Sequence, residues 1–417
     1  MNRRRFLIAS GGALPWGWAA RADEAQRIVA SQNEALEERL AAWIQIYDTQ
    51  GNHRTGTEAD LTAAQWLAAE LHRVGLAPTL EPFEFSRVVP QSCYLRIGDR
   101  RVDGVPAFDA AFTDAGGIRG RIGPLGSDAD IGLAETRPFA LLEPRGEQRG
   151  AVAEARKSAH KAVVLLTRGS RPGLFLLNAL SFANPAPIPI LQVSSAEAEW
   201  LQQAAQARSE VTLVAHAVRT QARANNVVAS IAGSRPELAP LVVSTPFSGW
   251  WQCAGERGGG IACWLESASV LAESRPERPC VFVGLSGHEL ANLGLLDYVK
   301  RRPHAYRQAH RWIHYGANIG VPHQPNLVHV ADDELERWAA STLKRQGLAM
   351  NAAPREDLPR GEGLLIHRGG ARYVTLTCGT NLFHNAADRW PEEVDVRELA
   401  RYALSFSNAL RDAARLT

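Results

Sequence analysis

The stretch VFVGLSGHELANLGLLDYV, Val281 to Val299, sets the frame for the rest of the chain. Its first residues continue a short apolar run, Cys280 to Leu285, that reads as a buried strand. Ser286 and Gly287 then supply the small residues of a tight strand-to-helix turn, and the polar pair His288-Glu289 follows at the strand's carboxyl end. Two other stretches share this layout. In AGERGGGIACWLESASVLAE (254–273) a glycine-rich start carries Glu256 and Arg257 and leads into a helix with Ile261, Trp264, Leu265, Ala268 and Leu271 on one face. In FHNAADRWPEEVDVRELARY (383–402), the polar residues at this place are His384 and Asp388. Strands alternating with helices of this length predict an α/β fold: an open, mostly parallel sheet flanked by helices. Ligands of such sheets gather beyond the carboxyl ends of the strands, where all three stretches place their polar residues.

Outward from this centre, the chain of 417 residues is longer than one core usually organises. A polar helical lead, Glu34 to Tyr47, precedes HRTGTEAD (53–60) and an amphipathic helix with Leu61, Ala64, Trp66, Leu67, Leu71 and Val74 at helical spacing. Gly75 stops that helix before a strand from Ala77 to Phe85. From Val88 to about Val218 the texture changes to short strands, glycine-rich turns and small helices, which predicts an inserted α+β unit over 88–220. The main fold, 23–87, resumes at 221–417.

The N-terminus reads as an address. Arg3, Arg4 and Arg5 stand before an apolar stretch, Phe6 to Trp18, which ends at the small-x-small site Ala20-Arg21-Ala22. Residues 1–22 therefore read as a signal peptide of the twin-arginine type, with a periplasmic or secreted product and no transmembrane anchor after cleavage. Five cysteines in no C-x-x-C pair allow up to two disulfides or buried free thiols. With 46 basic and 44 acidic side chains and no long single-sign run, no nucleic-acid partner is expected.

Taken together, the three stretches and the R-x-G-T turn at Arg54 to Thr57 resemble the secreted di-zinc aminopeptidases, a metallopeptidase family of M28 type that also holds the glutaminyl cyclases. The order of elements over 88–220 resembles the protease-associated domain that many of those enzymes insert. The resemblance implies a zinc-exopeptidase-like sheet and a pair of metal ions, but several ligand positions are substituted. Pro246 and Ser248 stand where the family's first histidine and its orienting aspartate are found, and Ala317 stands where a carboxylate is found. Glu256 falls in the slot of the bridging aspartate, Glu289 matches the metal-binding glutamate, and His384 matches the last histidine. His288 replaces the glutamate that serves as general base.

The resemblance thus implies one surviving zinc ion on Glu256, Glu289 and His384, with His288 as base and a peptide or small amide as substrate. Arg257 is a candidate for stabilising transition-state charge, and Trp250 and Trp251 for an aromatic substrate wall. Two other functions stay open: a catalytically inactive family member acting as a binding protein, and a glutaminyl-cyclase-like acyltransferase. His288-Glu-Leu-Ala-Asn292 lacks the second histidine of a zincin helix. His304, His310 and His314 fit no common zinc spacing and are read as structural or surface residues.

Overall fold

The computed structural model describes residues 16–137, 150–379 and 382–415, with side chains described from residue 31 onwards. The proposed signal segment, Met1 to Ala22, therefore lies largely outside the described residues. Helix α1 (Trp16–Thr49) and helix α2 (Glu58–Arg73) come first. Thr57 caps α2, its hydroxyl accepting from the Asp60 N–H, and Ala63, Ala64, Leu67 and Leu71 bury one face. Strand β1 (Thr79–Ile97) follows and is far longer than the expected run to Phe85.

The chain then builds β2 (Arg100–Pro106), β3 (Ala110–Ala111), β4 (Ile118–Pro124), β5 (Ile131–Thr136), α3 (Gly150–Lys157), β6 (Ala162–Thr167), β7 (Ala186–Val193) and α4 (Ala198–Gln206). β4, β5, β6 and β7 pair in parallel, and Leu95, Ile131, Val164, Leu191, Leu201 and Leu213 close a separate core around them. Strand β8 (Glu210–Ile231) returns antiparallel to β1 over nearly its whole length. The expected domain borders at 88 and 220 thus fall inside two strands that run unbroken through both parts of the molecule.

Beyond β8 come β9 (Leu241–Pro246), α5 (Gly259–Ser274), β10 (Cys280–Leu285), α6 (Leu293–Arg301), α7 (Ala305–Gln308), β11 (Arg311–Tyr315), β12 (Asn326–Val330), α8 (Asp333–Lys344), α9 (Glu362–Arg368), β13 (Tyr373–Cys378) and α10 (Val396–Ala414). β10, β9, β11 and β13 lie side by side and parallel, with β8 antiparallel at one border and β12 antiparallel at the other. These central strands are buried on both faces, which is why they read as continuous apolar runs. α5 and α10 pack on each other, and Trp264, Tyr315 and Phe406 are fully buried there. All five cysteines are free thiols. No helix among the described residues is long and apolar enough to cross a membrane.

Candidate metal centre

The four parallel strands deliver the loops after Pro246, Leu285, Tyr315 and Cys378 to one end of the sheet, around a cavity of about 500 Å³. Pro246, Arg257, His288, Ala317, Asn318, Glu362 and His384 are among its walls. Inside it, Glu256, His288 and His384 place one ligand-capable atom each within 4.8 Å of one another, and all three residues are buried.

Backbone features hold Glu256 in place. Ala254 to Gly258 form a single π-helical turn ahead of α5, a distortion that recurs at functional sites. The Asp388 carboxylate accepts from the N–H groups of Gly255 (2.6 Å) and Glu256 (2.9 Å) and so binds that turn to the His384 loop. Burial, then the charge of Glu256, push the Asp388 carboxyl up to about 8. Glycine is needed behind the turn: a Cβ on Gly259 would stand 1.7 Å from the carbonyl oxygen of Ile319. That close approach seats the start of α5 on the loop after β11, where the Asn318 N–H donates to the Glu256 carbonyl (3.1 Å).

Both imidazoles have their Nδ1 side tied off. In His384, Nδ1 donates to the carbonyl oxygen of Leu176 (2.7 Å), which leaves Nε2 turned to Glu256 Oε1 at 3.4 Å. Nδ1 of His288 donates to the Glu362 carboxylate (2.8 Å). Its Nε2 lies 3.2 Å from the amide nitrogen of Asn178, whose orientation follows from Trp250 Nε1 donating to the Asn178 oxygen (3.0 Å). Leu176 and Asn178 belong to the stretch between β6 and β7, so the region between β1 and β8 closes over the site.

Arg257 is fully buried, with Nη2 on Glu256 Oε1 (2.5 Å) and Nε on the carbonyl oxygen of Ser248 (2.8 Å). Burial works to raise the Glu256 carboxyl, but Arg257 and His384 outweigh it and hold the group well below the usual carboxylate range. Burial likewise opposes ionisation of Glu362, yet His288, His314 and Arg257 bring it down to about 2. Burial lowers His314 to about 4, so that ring is neutral at neutral pH.

Of the residues singled out in the sequence, Glu256, His288 and His384 converge and Arg257 joins them. Glu289 does not. Its carboxylate accepts from the Thr55 N–H (2.6 Å) and from the Ser248 hydroxyl (2.9 Å), on the side of the turn away from the cavity. Adjacent residues at a tight turn face different ways, and a sequence alignment cannot tell which of the two faces the ligand. Trp250 packs edge-on to Phe108 (4.9 Å between ring centres) among buried aromatics, and Trp251 Nε1 donates to the His384 carbonyl (2.9 Å). Neither indole lines the cavity; both buttress it. Pro246 and Ala317 do line it, and Ser248 is buried behind it.

Glu362 was not visible as a site residue, because it stands alone at the start of α9 after a proline-rich loop with no motif around it. His314, expected as a structural or surface residue, takes a buried place at the site. It is 2% exposed, lines the cavity, and has Nδ1 3.0 Å from the Ser244 hydroxyl. The available signal was its place in the short strand β11, where it stands between the apolar residues Trp312, Ile313 and Tyr315.

A metal ion suits this donor set. Glu256 Oε2 and His384 Nε2 are buried without a hydrogen-bond partner among the described residues, and a nitrogen facing a carboxylate oxygen is satisfied by a proton or a metal cation between them. One carboxylate and two imidazoles, each imidazole anchored through Nδ1, form a donor set that zinc favours.

By sequence, the chain matches no family model and no curated protein. By structure it is similar to BSAP, a zinc aminopeptidase from Bacillus subtilis (TM-score 0.73, 16% identity, 90% of this chain and 95% of that one). An aminopeptidase from Aneurinibacillus sp. strain AM-1 matches with a TM-score of 0.68 at 16% identity, over 91% of this chain and 94% of that one. A Peptidase M28 precursor from Shewanella amazonensis SB2B also gives 0.68, at 18% identity, over 93% of this chain and 98% of that one. The chain therefore has the α/β fold of the M28-type zinc aminopeptidases.

Proposed function

We propose that the chain is an exported hydrolase of a peptide or other amide bond, working with one zinc ion held by Glu256, His288 and His384. The observation that carries this reading is the pair of buried, unpartnered atoms Glu256 Oε2 and His384 Nε2, beside a second imidazole anchored from behind. In this reading His288 is a ligand, where the sequence suggested a base, and Glu289 is scaffold. The names of the similar structures support a peptide-like substrate. The basic, apolar N-terminus supports export to the periplasm, and the region between β1 and β8 takes the part of a protease-associated insert.

Zinc on two nitrogens and one carboxylate supplies a water of lowered pKa and a Lewis acid for a carbonyl oxygen. The chain's own residues prepare for that chemistry. Glu362 fixes the His288 tautomer and makes the ring a stronger donor, and the Leu176 carbonyl does the same for His384. Asp388 fixes the backbone of Glu256. Arg257 supplies a fixed positive charge that needs no reorganisation when charge develops on a substrate oxygen.

A second reading, a binding protein without catalysis, is favoured by two contacts: the Asn178 amide occupies His288 Nε2, and Arg257 occupies Glu256 Oε1. Metal analysis separates the two. Under the hydrolase reading purified protein carries close to one zinc per chain, Glu256→Gln and His384→Ala lose it, and Glu289→Gln keeps it. Metal-free wild-type protein that takes up no zinc on titration would overturn the reading.

A further inference from the structure

Besides the metal set, the cavity wall carries buried polar atoms that have no hydrogen-bond partner among the described residues. Thr375 Oγ1 and His329 Nδ1 either donate or accept, so they say little about a ligand. Arg257 Nη1 only donates, and Asn318 Oδ1 only accepts. Both residues line the same cavity, and their backbones are adjacent, because the Asn318 N–H bonds the carbonyl of Glu256, the residue before Arg257.

The orientation of the Asn318 amide is fixed from behind, with Nδ2 donating to the Cys378 carbonyl (3.3 Å). Its backbone is held in the left-handed region at φ +69°. Strained positions of this kind persist where the surroundings impose them and cluster at ligand sites. Asn292, on the same wall, adds another unpartnered oxygen, again on left-handed backbone at φ +61°. A buried unmatched donor beside buried unmatched acceptors calls for a ligand carrying the opposite set.

We propose that this wall recognises a neutral carboxamide, its C=O accepting from Arg257 Nη1 and its N–H donating to Asn318 Oδ1; resting on the hydrolase reading, that group is the scissile amide. A carboxylate would satisfy Arg257 but set its second oxygen against the asparagine oxygens. An alkylammonium would satisfy the asparagines but meet a guanidinium with nothing to offer it. Asn318 is therefore a specificity residue and Arg257 the donor that orients the carbonyl.

The test is calorimetric titration of the full chain, with zinc and after zinc is stripped, using three probes of equal size: butanamide, butanoate and butylammonium. Butanamide should bind roughly tenfold tighter than either ion, the effect of one unmatched buried group. Asn318→Gly, which keeps the left-handed backbone, should abolish the preference over butanoate, and Asn318→Asp should strengthen butylammonium relative to both other probes. Circular dichroism and thermal melting verify that both variants fold. Butanoate binding as tightly as butanamide to the wild type, a preference for butanamide over butanoate that survives in folded Asn318→Gly, or no binding of any probe would each overturn the proposal. A preference that persists in stripped protein stands even if the chain never binds zinc, and zinc uptake without the preference overturns this inference alone.

Discussion

Two polar clusters lie on opposite sides of the turn at His288 and Glu289, and they are built on opposite principles. On the scaffold side every carboxylate oxygen is used. Glu289 takes the Thr55 N–H and the Ser248 hydroxyl, and Asp60 takes the Gly56 N–H and the Ser286 hydroxyl. Thr55 and Ser248 in turn accept from the N–H groups of Gly287 and His288. On the cavity side Glu256, His384, Arg257 and Asn318 each keep a buried atom without a partner among the described residues. A satisfied network stiffens a fold, whereas an unsatisfied one is costly unless a ligand completes it. The contrast separates structure from function better than residue type does, since both clusters are rich in acids.

The comparison can be broken most directly at the ligands. His384→Ala or Glu256→Gln should weaken zinc binding by more than about a hundredfold, because loss of an outer-shell partner alone costs about 10–100-fold. Competition with a chromogenic chelator measures it on variants that circular dichroism verifies as folded. Glu289→Ala should act on stability and leave zinc binding alone. It leaves a buried N–H and a buried hydroxyl without their acceptor, a loss of about 3 kcal/mol or more in urea unfolding, with the zinc stoichiometry of folded protein unchanged. If Glu289→Ala instead abolished zinc uptake in folded protein, the two clusters would not be separate.

Glu362→Gln sharpens the comparison with a smaller effect. The His288 ring loses its ionised partner, so zinc affinity should fall by about 10–100-fold while one ion per chain is still reached at saturation. On the scaffold side the comparison can also be tested by pH at Asp60. Burial, only partly offset by its hydrogen bonds from Gly56 and Ser286, pushes its carboxyl up to about 8. The folded state then holds a proton that the unfolded chain releases near its ordinary value, so Asp60 makes stability fall as pH rises from about 4 to about 8. In Asp60→Asn that decline should flatten, which melting temperatures across this range would show.

Most of the sheet could be read in the chain because its signals are local. The apolar runs at Leu241 to Val243 and Cys280 to Leu285 appear as buried strands, and the one-sided pattern of Ile261, Trp264, Leu265, Ala268 and Leu271 appears as a buried helix. The length of β1 and β8 was less legible, because beyond Phe85 the alternation is broken by arginines and a proline that only pairing with the other strand accommodates. At the site, Glu256, His288 and His384 stood out by their place at strand ends. Glu362 and Asn178 did not, since each reaches His288 from a distant, motif-free segment.

The sequence by itself determined which residues are apolar at strand and helix period, and so the order of elements and the end of the sheet where polar side chains collect. Only the tertiary structure decided that His288 rather than Glu289 turns into the cavity, that Arg257 is buried against Glu256, and that Asn318 is left with an oxygen to spare. The reason is physical. Periodicity is a property of neighbours along the chain, whereas the direction of a side chain at a turn is set by which hydrogen-bond partners arrive from elsewhere in the fold.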